Sequence, residues 1–392
     1  MNIWVRLITL LFVSLILFLA TTTAFAYLTL FERRILARLQ NRVGPNRAGP
    51  GGFFQPLADA LKLFFKEEIT PAQADKAVYT IAPALAMIPA IVLFAVIPFG
   101  AYLDLSFLLG EAARYVPIQL ADVNVGVLFL LAVTSIGVYG VTLGGWSSNN
   151  KYSMLGGIRA AAQMVSYELA LGLSILVAIM LTTTPTTQEA ANASLCSLMF
   201  GQQPVAEISA LSTCRIVESQ GGWWNIFKPT GLLAFGIFWL ASTAEVVRAP
   251  FDLVEAEQEL VGGFNTEYSS MKFALFFMAE YIKLIAISAI GVVLFLGGWR
   301  GPGVDLLYSL GYPNVAGLVS LGYFLLKLIA FLFFSVWVRA TLPRFKYNQL
   351  MDLGWKRLLP ISLGLVAVTA VFAVVTQDMN PYIAGLFGGF RR

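Results

Sequence analysis

Three glutamates, Glu168, Glu245 and Glu280, lie inside long apolar stretches of this sequence. An ionised side chain at bilayer depth is costly, so such residues usually face a bundle interior or a watery cavity and serve ion movement. Local ion pairs are the alternative, because Lys283 lies one helical turn after Glu280 and Arg248 closely follows Glu245. Glu168 has no neighbour in sequence that would neutralise it. It is therefore the strongest candidate for a protonatable site.

A second group of carboxylates is crowded into residues 248–270, with only Arg248 and Lys272 to balance them at the edges. The acidic residues are Asp252, Glu255, Glu257, Glu259 and Glu267. If this segment is helical, Asp252, Glu255 and Glu259 share one face. Like charges this close cannot all ionise cheaply, so one or more pKa values should rise, as a proton reservoir requires. A solvated acidic loop is the alternative, and it stays open.

The hydrophilic segment over 32–77 is rich in Gly, Pro and Arg, and it contains a predicted amphipathic helix over 53–68. One polar stripe is formed by Gln55, Asp59, Lys62 and Lys66, and the opposite face by Phe54, Leu57, Leu61, Phe64 and Phe65. Such a helix lies along a membrane surface. It is either a structural strap or the floor of a pocket that an amphipathic ligand enters from lipid.

Several kinds of chemistry are excluded by composition. The 392 residues include no histidine, which rules out histidine-ligated haem, histidine-ligated metals and histidine-based hydrolytic triads. Two cysteines are too few for an iron–sulfur cluster held by four. No phosphate-cradling loop precedes a strand–helix unit, and no basic run is long enough to suggest nucleic acid. Any redox centre that serves this chain must therefore belong to a partner.

The elements that must position these residues are membrane helices. Only 12% of the residues are charged, about half the usual share of about 25% in soluble domains. Eight apolar runs are long enough to cross a bilayer, at about 5–31, 78–100, 122–143, 159–182, 229–247, 270–296, 316–338 and 358–377. We therefore predict an all-α integral membrane protein over 1–392, a single bundle of eight transmembrane helices plus one surface helix.

Most Lys and Arg residues lie in the segments that follow the first, third, fifth and seventh runs. The positive-inside rule places those segments, and with them the surface helix, in the cytoplasm and both termini outside. The first run imitates a secretory signal, since Arg6 precedes it and Ala24-Phe25-Ala26 resembles a cleavage site. It is too long for an ordinary signal, however, so we interpret it as the first span.

Two motifs resemble one protein family. The first contains FERR at 31–34 and QNRVGPN at 40–46, and the second contains AEVVRAPFD at 244–252 and EAEQELVGGFNTEY at 255–268. Both are similar to signatures of the H-type (NuoH) membrane subunits of proton-translocating NADH–quinone oxidoreductase (complex I), whose mitochondrial counterpart is NADH dehydrogenase subunit 1. The resemblance covers almost the whole chain, and the two motifs occur in the expected order.

The resemblance implies a quinone chamber roofed by the first and third cytoplasmic segments, and a proton path through buried carboxylates. The chamber residues that match are Arg33, Arg42, Phe53, Gln55 and Asp59. The matching proton-path residues are Glu168, Glu245 and Glu280, with Asp252, Glu255, Glu257, Glu259 and Glu267 in the acidic segment.

The resemblance also implies the chain's surroundings. Quinone would be the substrate, while FMN and the iron–sulfur clusters would be held by partner subunits. The expected partners are peripheral-arm quinone-site and iron–sulfur subunits, small membrane subunits, antiporter-like subunits and membrane lipid, in a bacterial plasma membrane. One alternative is the anchor subunit of a related membrane-bound hydrogenase or formate hydrogenlyase. A stand-alone ion or solute transporter is another, although no paired repeat with broken helices is visible.

The outward segment over 183–228 is longer than this family leads us to expect, and it contains both cysteines, Cys196 and Cys214. In an oxidising compartment these two residues would form a disulfide. The prediction is checked by mass spectrometry of the unreduced protein. Detection of both thiols in the free form would contradict it.

Overall fold

The described part of the chain folds as a bundle of long α-helices with one short β-ribbon. The computed structural model describes residues 3–104, 116–121, 123–182, 212–220, 223–254 and 261–387. The helices are α1 (Ile3–Leu39), α2 (Gln55–Phe64), α3 (Lys76–Val92), α4 (Gly126–Ser147), α5 (Lys151–Thr182), α6 (Thr213–Ser219), α7 (Pro229–Glu245), α8 (Ser270–Phe295), α9 (Val304–Ser309), α10 (Pro313–Thr341), α11 (Tyr347–Asp352) and α12 (Leu359–Phe387). A turn of π-helix, Leu353–Leu358, joins α11 to α12. Strands β1 (Tyr102–Leu103) and β2 (Val116–Pro117) pair antiparallel.

Seven helices in the described ranges are long and apolar enough to cross a membrane. They are α1 from Val13 onward, α3 extended to Ala95, α4, α5, α8, α10 and the continuous α11–α12 helix as far as Val375. The run predicted over 229–247 is observed as α7, whose 17 residues measure about 26 Å at about 1.5 Å per residue. That length is slightly below the hydrocarbon thickness of about 30 Å. The eighth crossing therefore stays a prediction.

Helix α8 forms the centre of the bundle. In its most apolar stretch 78% of the residues are buried, against 22% in the corresponding stretches of α1 and of α11–α12. The central helix therefore packs against protein nearly all round, while α1 and α12 form the edges. This position matters because α8 carries both Glu280 and Lys283.

Glycines bring α4 into backbone contact with both of its neighbours. A Cβ atom at Gly140 would lie only 2.5 Å from the backbone nitrogen of Ala86 on α3. One at Gly145 would lie 2.5 Å from the carbonyl oxygen of Ser153 on α5. Small residues permit this close approach, which is typical of helices that associate within membranes. Helices α3, α4 and α5 therefore form a tightly packed layer beside α8.

Helix α1 continues to Leu39, past the predicted end of the first span at residue 31. The sequence placed Glu32 in a hydrophilic segment because several arginines follow it closely. In the structure Glu32 is only 3% exposed and points into the bundle, while Arg33 and Arg34 remain at the surface. The helix continues because the buried carboxylate finds cationic partners there.

Within the segment 53–68, where a surface helix is predicted, the structure has the shorter helix α2, Gln55–Phe64. A tight loop leads into it, and Gly52 adopts a left-handed backbone with φ 79°. A Cβ atom at Gly52 would lie 2.1 Å from the carbonyl oxygen of Pro45, so only glycine fits. After the helix, Ser269 accepts a hydrogen bond of 2.9 Å from the backbone nitrogen of Ile69. These contacts fix both ends of α2 against the bundle.

Candidate functional site

A large cavity, here the first cavity, opens between α1, α2 and the start of α8. It encloses about 1690 Å³, its mouth included. Polar side chains line one part, namely Arg33, Asp59, Lys62 and Lys66, and apolar side chains line another, among them Phe25, Phe273, Phe277 and Met278. A mostly apolar cavity with a few convergent polar groups is the usual form of a site for a small organic ligand.

Asp59 is the polar centre of the first cavity. Its Oδ2 atom lies 2.7 Å from Arg33 Nη1, and its Oδ1 accepts a 3.0 Å hydrogen bond from Gln55 Nε2. The side chains of Arg33 and Asp59 are 46% and 33% exposed, so solvent weakens this ion pair. A ligand that displaced the solvent would strengthen it. The structure thus brings together three of the five predicted chamber residues.

Of the five predicted chamber residues, Arg33 and Asp59 line the first cavity, Gln55 reaches it only through its hydrogen bond to Asp59, and Arg42 and Phe53 lie apart from it. Arg42 is exposed, and its Nε donates a 2.7 Å hydrogen bond to Gln40 Oε1. Phe53 is 50% exposed, and its ring centroid lies 5.0 Å from that of Tyr27. Both residues belong to the approach to α2, outside the cavity wall.

Helix α2 turns its apolar side away from the protein. Leu57, Leu61 and Phe64 are each at least half exposed, and no residue of the helix is buried. Asp59 instead faces the first cavity. Because the apolar face lacks protein cover within the described ranges, it is suited to contact lipid.

Two stacked tyrosines close the side of the first cavity near the acidic segment. The rings of Tyr79 and Tyr268 lie 4.1 Å apart and nearly parallel. Tyr79 donates its hydroxyl to the carbonyl oxygen of Glu267, and the Glu267 carboxylate accepts a 2.6 Å hydrogen bond from Asn150. Burial raises the pKa of Tyr268 to about 12, so its hydroxyl stays protonated at neutral pH. Glu267 is thereby held beside the cavity.

A buried ionic network lies deeper in the bundle, centred on Glu32 and Arg248. Arg248 Nη1 lies 3.3 Å from both carboxylate oxygens of Glu32, which also accepts a 2.7 Å hydrogen bond from the Tyr281 hydroxyl. Arg339 pairs with the same carboxylate. On its other side Arg248 Nε lies 2.6 Å from Glu280 Oε1. The network therefore connects α1, α8, α10 and the segment after α7.

Arg248 remains charged in this buried position. Burial alone would favour the neutral guanidine, but the Glu280 and Glu32 carboxylates outweigh it and raise the pKa of Arg248 above its ordinary value. Its guanidinium also lies 3.8 Å above the Tyr281 ring, where the π face stabilises a cation. Sequence reasoning missed Glu32, Tyr281 and Arg339 as members of this site. The sequence did contain one indication of Glu32: if α1 continues past residue 31, Glu32 lies on a different face of the helix from Arg33.

The ion pairs near α7 and α8 have different partners from those that sequence proximity suggested. Lys283 Nζ lies 2.9 Å from Glu245 Oε1, while Glu280 contacts Arg248. Glu245 is 2% exposed, and its second carboxylate oxygen has no hydrogen-bond partner among the described residues. Glu245, Glu280 and Lys283 line a second cavity of about 560 Å³, opening included.

Glu168 lies on α5 near this second group. It is half-buried, and its carboxylate accepts a hydrogen bond from the Ser135 hydroxyl on α4. The charges of Glu245 and Lys283 act on it. The structure thus brings the three membrane glutamates of the prediction into one region, with cationic side chains between them.

The residues just before Glu168 are held by α11 and by the turn of π-helix that follows it. The Tyr167 hydroxyl donates a 2.8 Å hydrogen bond to the carbonyl oxygen of Leu350, and Trp355 Nε1 donates one of 3.1 Å to the Ser166 hydroxyl. Turns of π-helix are frequent at functional sites. The position of Glu168 therefore depends on this packing.

The acidic segment is only partly described. Asp252 Oδ2 lies 2.9 Å from Arg344 Nη2, an ion pair to the segment after α10. Three further predicted members, Glu255, Glu257 and Glu259, lie outside the described residues. Of the two cysteines, Cys214 on α6 is fully buried, and Cys196 lies outside the described ranges. The proton reservoir and the disulfide therefore stay predictions.

Comparison with known proteins gives one consistent result. The family model described as NADH dehydrogenase matches residues 12–370. The H-type subunit of NADH-quinone oxidoreductase from Protochlamydia amoebophila is 45% identical over 353 residues, covering 90% of this chain and 94% of the relative. A corresponding H-type subunit of Geobacter metallireducens is 48% identical over 358 residues, covering 91% and 94%. That of Leptospira biflexa is 44% identical over 367 residues, covering 92% and 94%. With seven candidate membrane helices among its described residues, the chain is a multi-pass plasma-membrane protein, and it belongs to the NADH dehydrogenase family as an H-type subunit of NADH–quinone oxidoreductase.

Proposed function

We propose that this chain forms the quinone-binding chamber of its complex and couples quinone reduction to proton translocation through buried carboxylates. One observation carries the proposal: an apolar cavity with Arg33 and Asp59 at its polar side lies beside a buried ionic network that reaches Glu280. Phe25 and Phe277 line the cavity, and both also pack against Tyr281, which hydrogen-bonds Glu32. A change of charge in the cavity therefore has a short route to the network.

In this proposal the quinone enters from lipid past α2 and places its head group near Asp59. Arg33 and Gln55 hold the carboxylate in position, and the apolar wall receives the isoprenoid chain. Electrons come from an iron–sulfur cluster in a partner subunit, and FMN also resides among the partners. Each quinone takes up two electrons and two protons to form the hydroquinone. Asp59 lies where that change of charge acts directly on its carboxylate.

The relay in this proposal runs through paired charges. A new charge near Tyr281 and Glu32 changes how strongly Arg248 is held by Glu32 relative to Glu280. Glu280 shares the second cavity with Glu245 and Lys283, whose charges in turn act on Glu168. Closely coupled groups of this kind exchange protons as a unit. The unpartnered oxygen of Glu245 is a ready position for a proton.

We further propose that α7 is the eighth crossing, that α2 is the predicted amphipathic surface helix, and that both termini lie outside. The length of α7 suits a locally thinned bilayer, because a short span can be accommodated at modest cost. The partners would be the peripheral-arm quinone-site and iron–sulfur subunits, small membrane subunits and antiporter-like subunits. Lipid would surround α1 and α12.

Asp59→Asn tests the chamber. The amide keeps the shape but lacks the charge that pairs with Arg33, so the KM for quinone should rise about ten-fold, equivalent to about 1.4 kcal/mol of binding. The measurement is NADH-dependent quinone reduction by the assembled complex. Asp305→Asn is the matched control, since that side chain is 63% exposed and lies on α9, outside the first cavity. Unchanged kinetics in Asp59→Asn, with the complex intact, would exclude the chamber role.

A further inference from the structure

Lys327 lies inside α10 and is only 7% exposed, although it is a lysine in a membrane-crossing helix. Its ammonium group lies at the C-terminal end of α8, far from the first cavity. The distance from Glu280 to the end of α8 at Phe295 is about 23 Å along the helix axis, at about 1.5 Å per residue. The residue takes no part in the ionic network described above. Its burial at that end needs a separate explanation.

Three backbone carbonyls surround the ammonium group. Lys327 Nζ donates hydrogen bonds of 2.7 Å to Leu296, 2.9 Å to Gly298 and 2.6 Å to Arg300. All three donors of a lysine are therefore used. The ring of Trp224 covers another side, with its centroid 4.2 Å from Nζ. The group is fully held by acceptors and a π face.

The carbonyls converge because the chain turns sharply after α8. Gly297 and Gly298 both adopt left-handed backbone, with φ 70° and 52°. Gly298 donates a 2.9 Å backbone hydrogen bond to Val292, and Arg300 donates one of 2.9 Å to Gly297. Convergent carbonyl oxygens are also how channels coordinate bare monovalent cations. The turn is therefore a cation site whose occupant is the protein's own ammonium group.

A narrow apolar cavity lies between the proposed proton path and this turn. This third cavity is small; it has Glu245 in its lining and otherwise chiefly apolar residues such as Phe238, Ile287 and Ile290. Beyond it Phe238 and Phe331 pack on Gly291, where a Cβ atom would meet their rings at 2.8 and 3.0 Å. This aromatic layer lies between the third cavity and the carbonyl turn along α8.

We propose that Lys327 is a fixed cation that closes this end of the bundle to protons and monovalent cations. A positive charge held beyond an apolar layer repels any cation that approaches through that layer. The inference rests on the proposed function in one respect, that Glu245 carries protons which must not leak past the aromatic layer. A purely structural cap would need the hydrogen bonds of Lys327 but not its charge.

Lys327→Gln and Lys327→Arg separate these two roles. The whole complex is reconstituted into liposomes, a pH gradient is imposed without NADH, and its decay is followed with a pH-sensitive dye. Lys327→Gln keeps two of the three donors but loses the charge, so decay should be about 10- to 20-fold faster, the factor for removing one charge about 10 Å from the ion's route at an effective dielectric constant of about 20. The Lys327→Arg complex should hold the pH gradient as long as the parent complex does. Lys356→Met, at a side chain that is 73% exposed, is the control.

If the pH gradient decays no faster with the Lys327→Gln complex than with the parent, the inference is overturned. If that variant does not assemble, Lys327→Ala is tested for assembly in methylammonium chloride, which supplies a small cation for the vacated turn. Recovery with methylammonium but not with tetramethylammonium would support the cation site, and no recovery would contradict it. Because the leak is measured without turnover, it is independent of coupling. A leak in Lys327→Gln together with normal pumping in Glu168→Gln would retain the barrier and reject the proposed relay.

Discussion

Arg248→Met is expected to remove most of the assembled complex from the membrane. Methionine fills much of the space but leaves the Glu32 and Glu280 carboxylates buried without the cation that lies between them. Breaking a buried ion pair from one side typically costs about 3–5 kcal/mol, a large part of the stability of a folded domain. The measurement is the amount of intact complex on a native gel, together with its thermal unfolding temperature.

Two further variants separate the buried network from a general effect of losing an arginine. Arg248→Lys keeps the charge but cannot reach both carboxylates with a planar fork, so it should assemble with an intermediate loss of stability. Arg357→Met changes an exposed arginine and should stay within about 0.5 kcal/mol of the parent. If Arg248→Met is as stable as Arg357→Met, the buried network does not hold these helices together.

Glu168→Gln is expected to uncouple quinone reduction from proton transfer. Glutamine keeps the size of the side chain and can still accept the hydrogen bond from Ser135, but it cannot carry a proton. Removing a proton-transfer group typically slows its step by about 100-fold or more, so proton uptake per electron should collapse while electron transfer persists. The two rates are measured together in proteoliposomes, by NADH oxidation and by acidification.

The matched control is Glu68→Gln. Glu68 pairs with Lys272 and its side chain is 49% exposed, outside the three cavities described above. Its pumping ratio should remain that of the parent. A normal ratio in Glu168→Gln would remove this residue from the proposed path, whatever the state of the chamber.

Sequence patterns predicted the helices well because hydrophobic length is a local property. The apolar runs that correspond to α4, α5, α8 and α10 could be identified from the length of helix needed to cross a bilayer. The isolated position of Glu168 in an apolar run likewise marked it without any tertiary information. A helix was also expected from the polar stripe over 53–68, and α2 lies within that range and ends at Phe64, while its place on the membrane surface stays a prediction.

The partners of the buried charges were beyond local reasoning. Spacing suggested pairs within α8 and just after α7, whereas Glu280 contacts Arg248, and Lys283 contacts Glu245 on α7. Which cation pairs with which carboxylate depends on how α7 and α8 are packed. The positions of the spans along the sequence do not determine that packing. Glu32 was missed for the same reason, since its partners lie more than two hundred residues away.

The exposed face of α2 also has a consequence for how the protein is handled. Although contacts with the bundle hold its ends, a helix with no buried residue also depends on whatever surrounds Leu57, Leu61 and Phe64. Micelles of a short-chain detergent give that face a curved and mobile partner, whereas a nanodisc gives it a flat one. Purified material should therefore lose ligand affinity on delipidation and regain it when phospholipid is restored, before any change in the helices behind it.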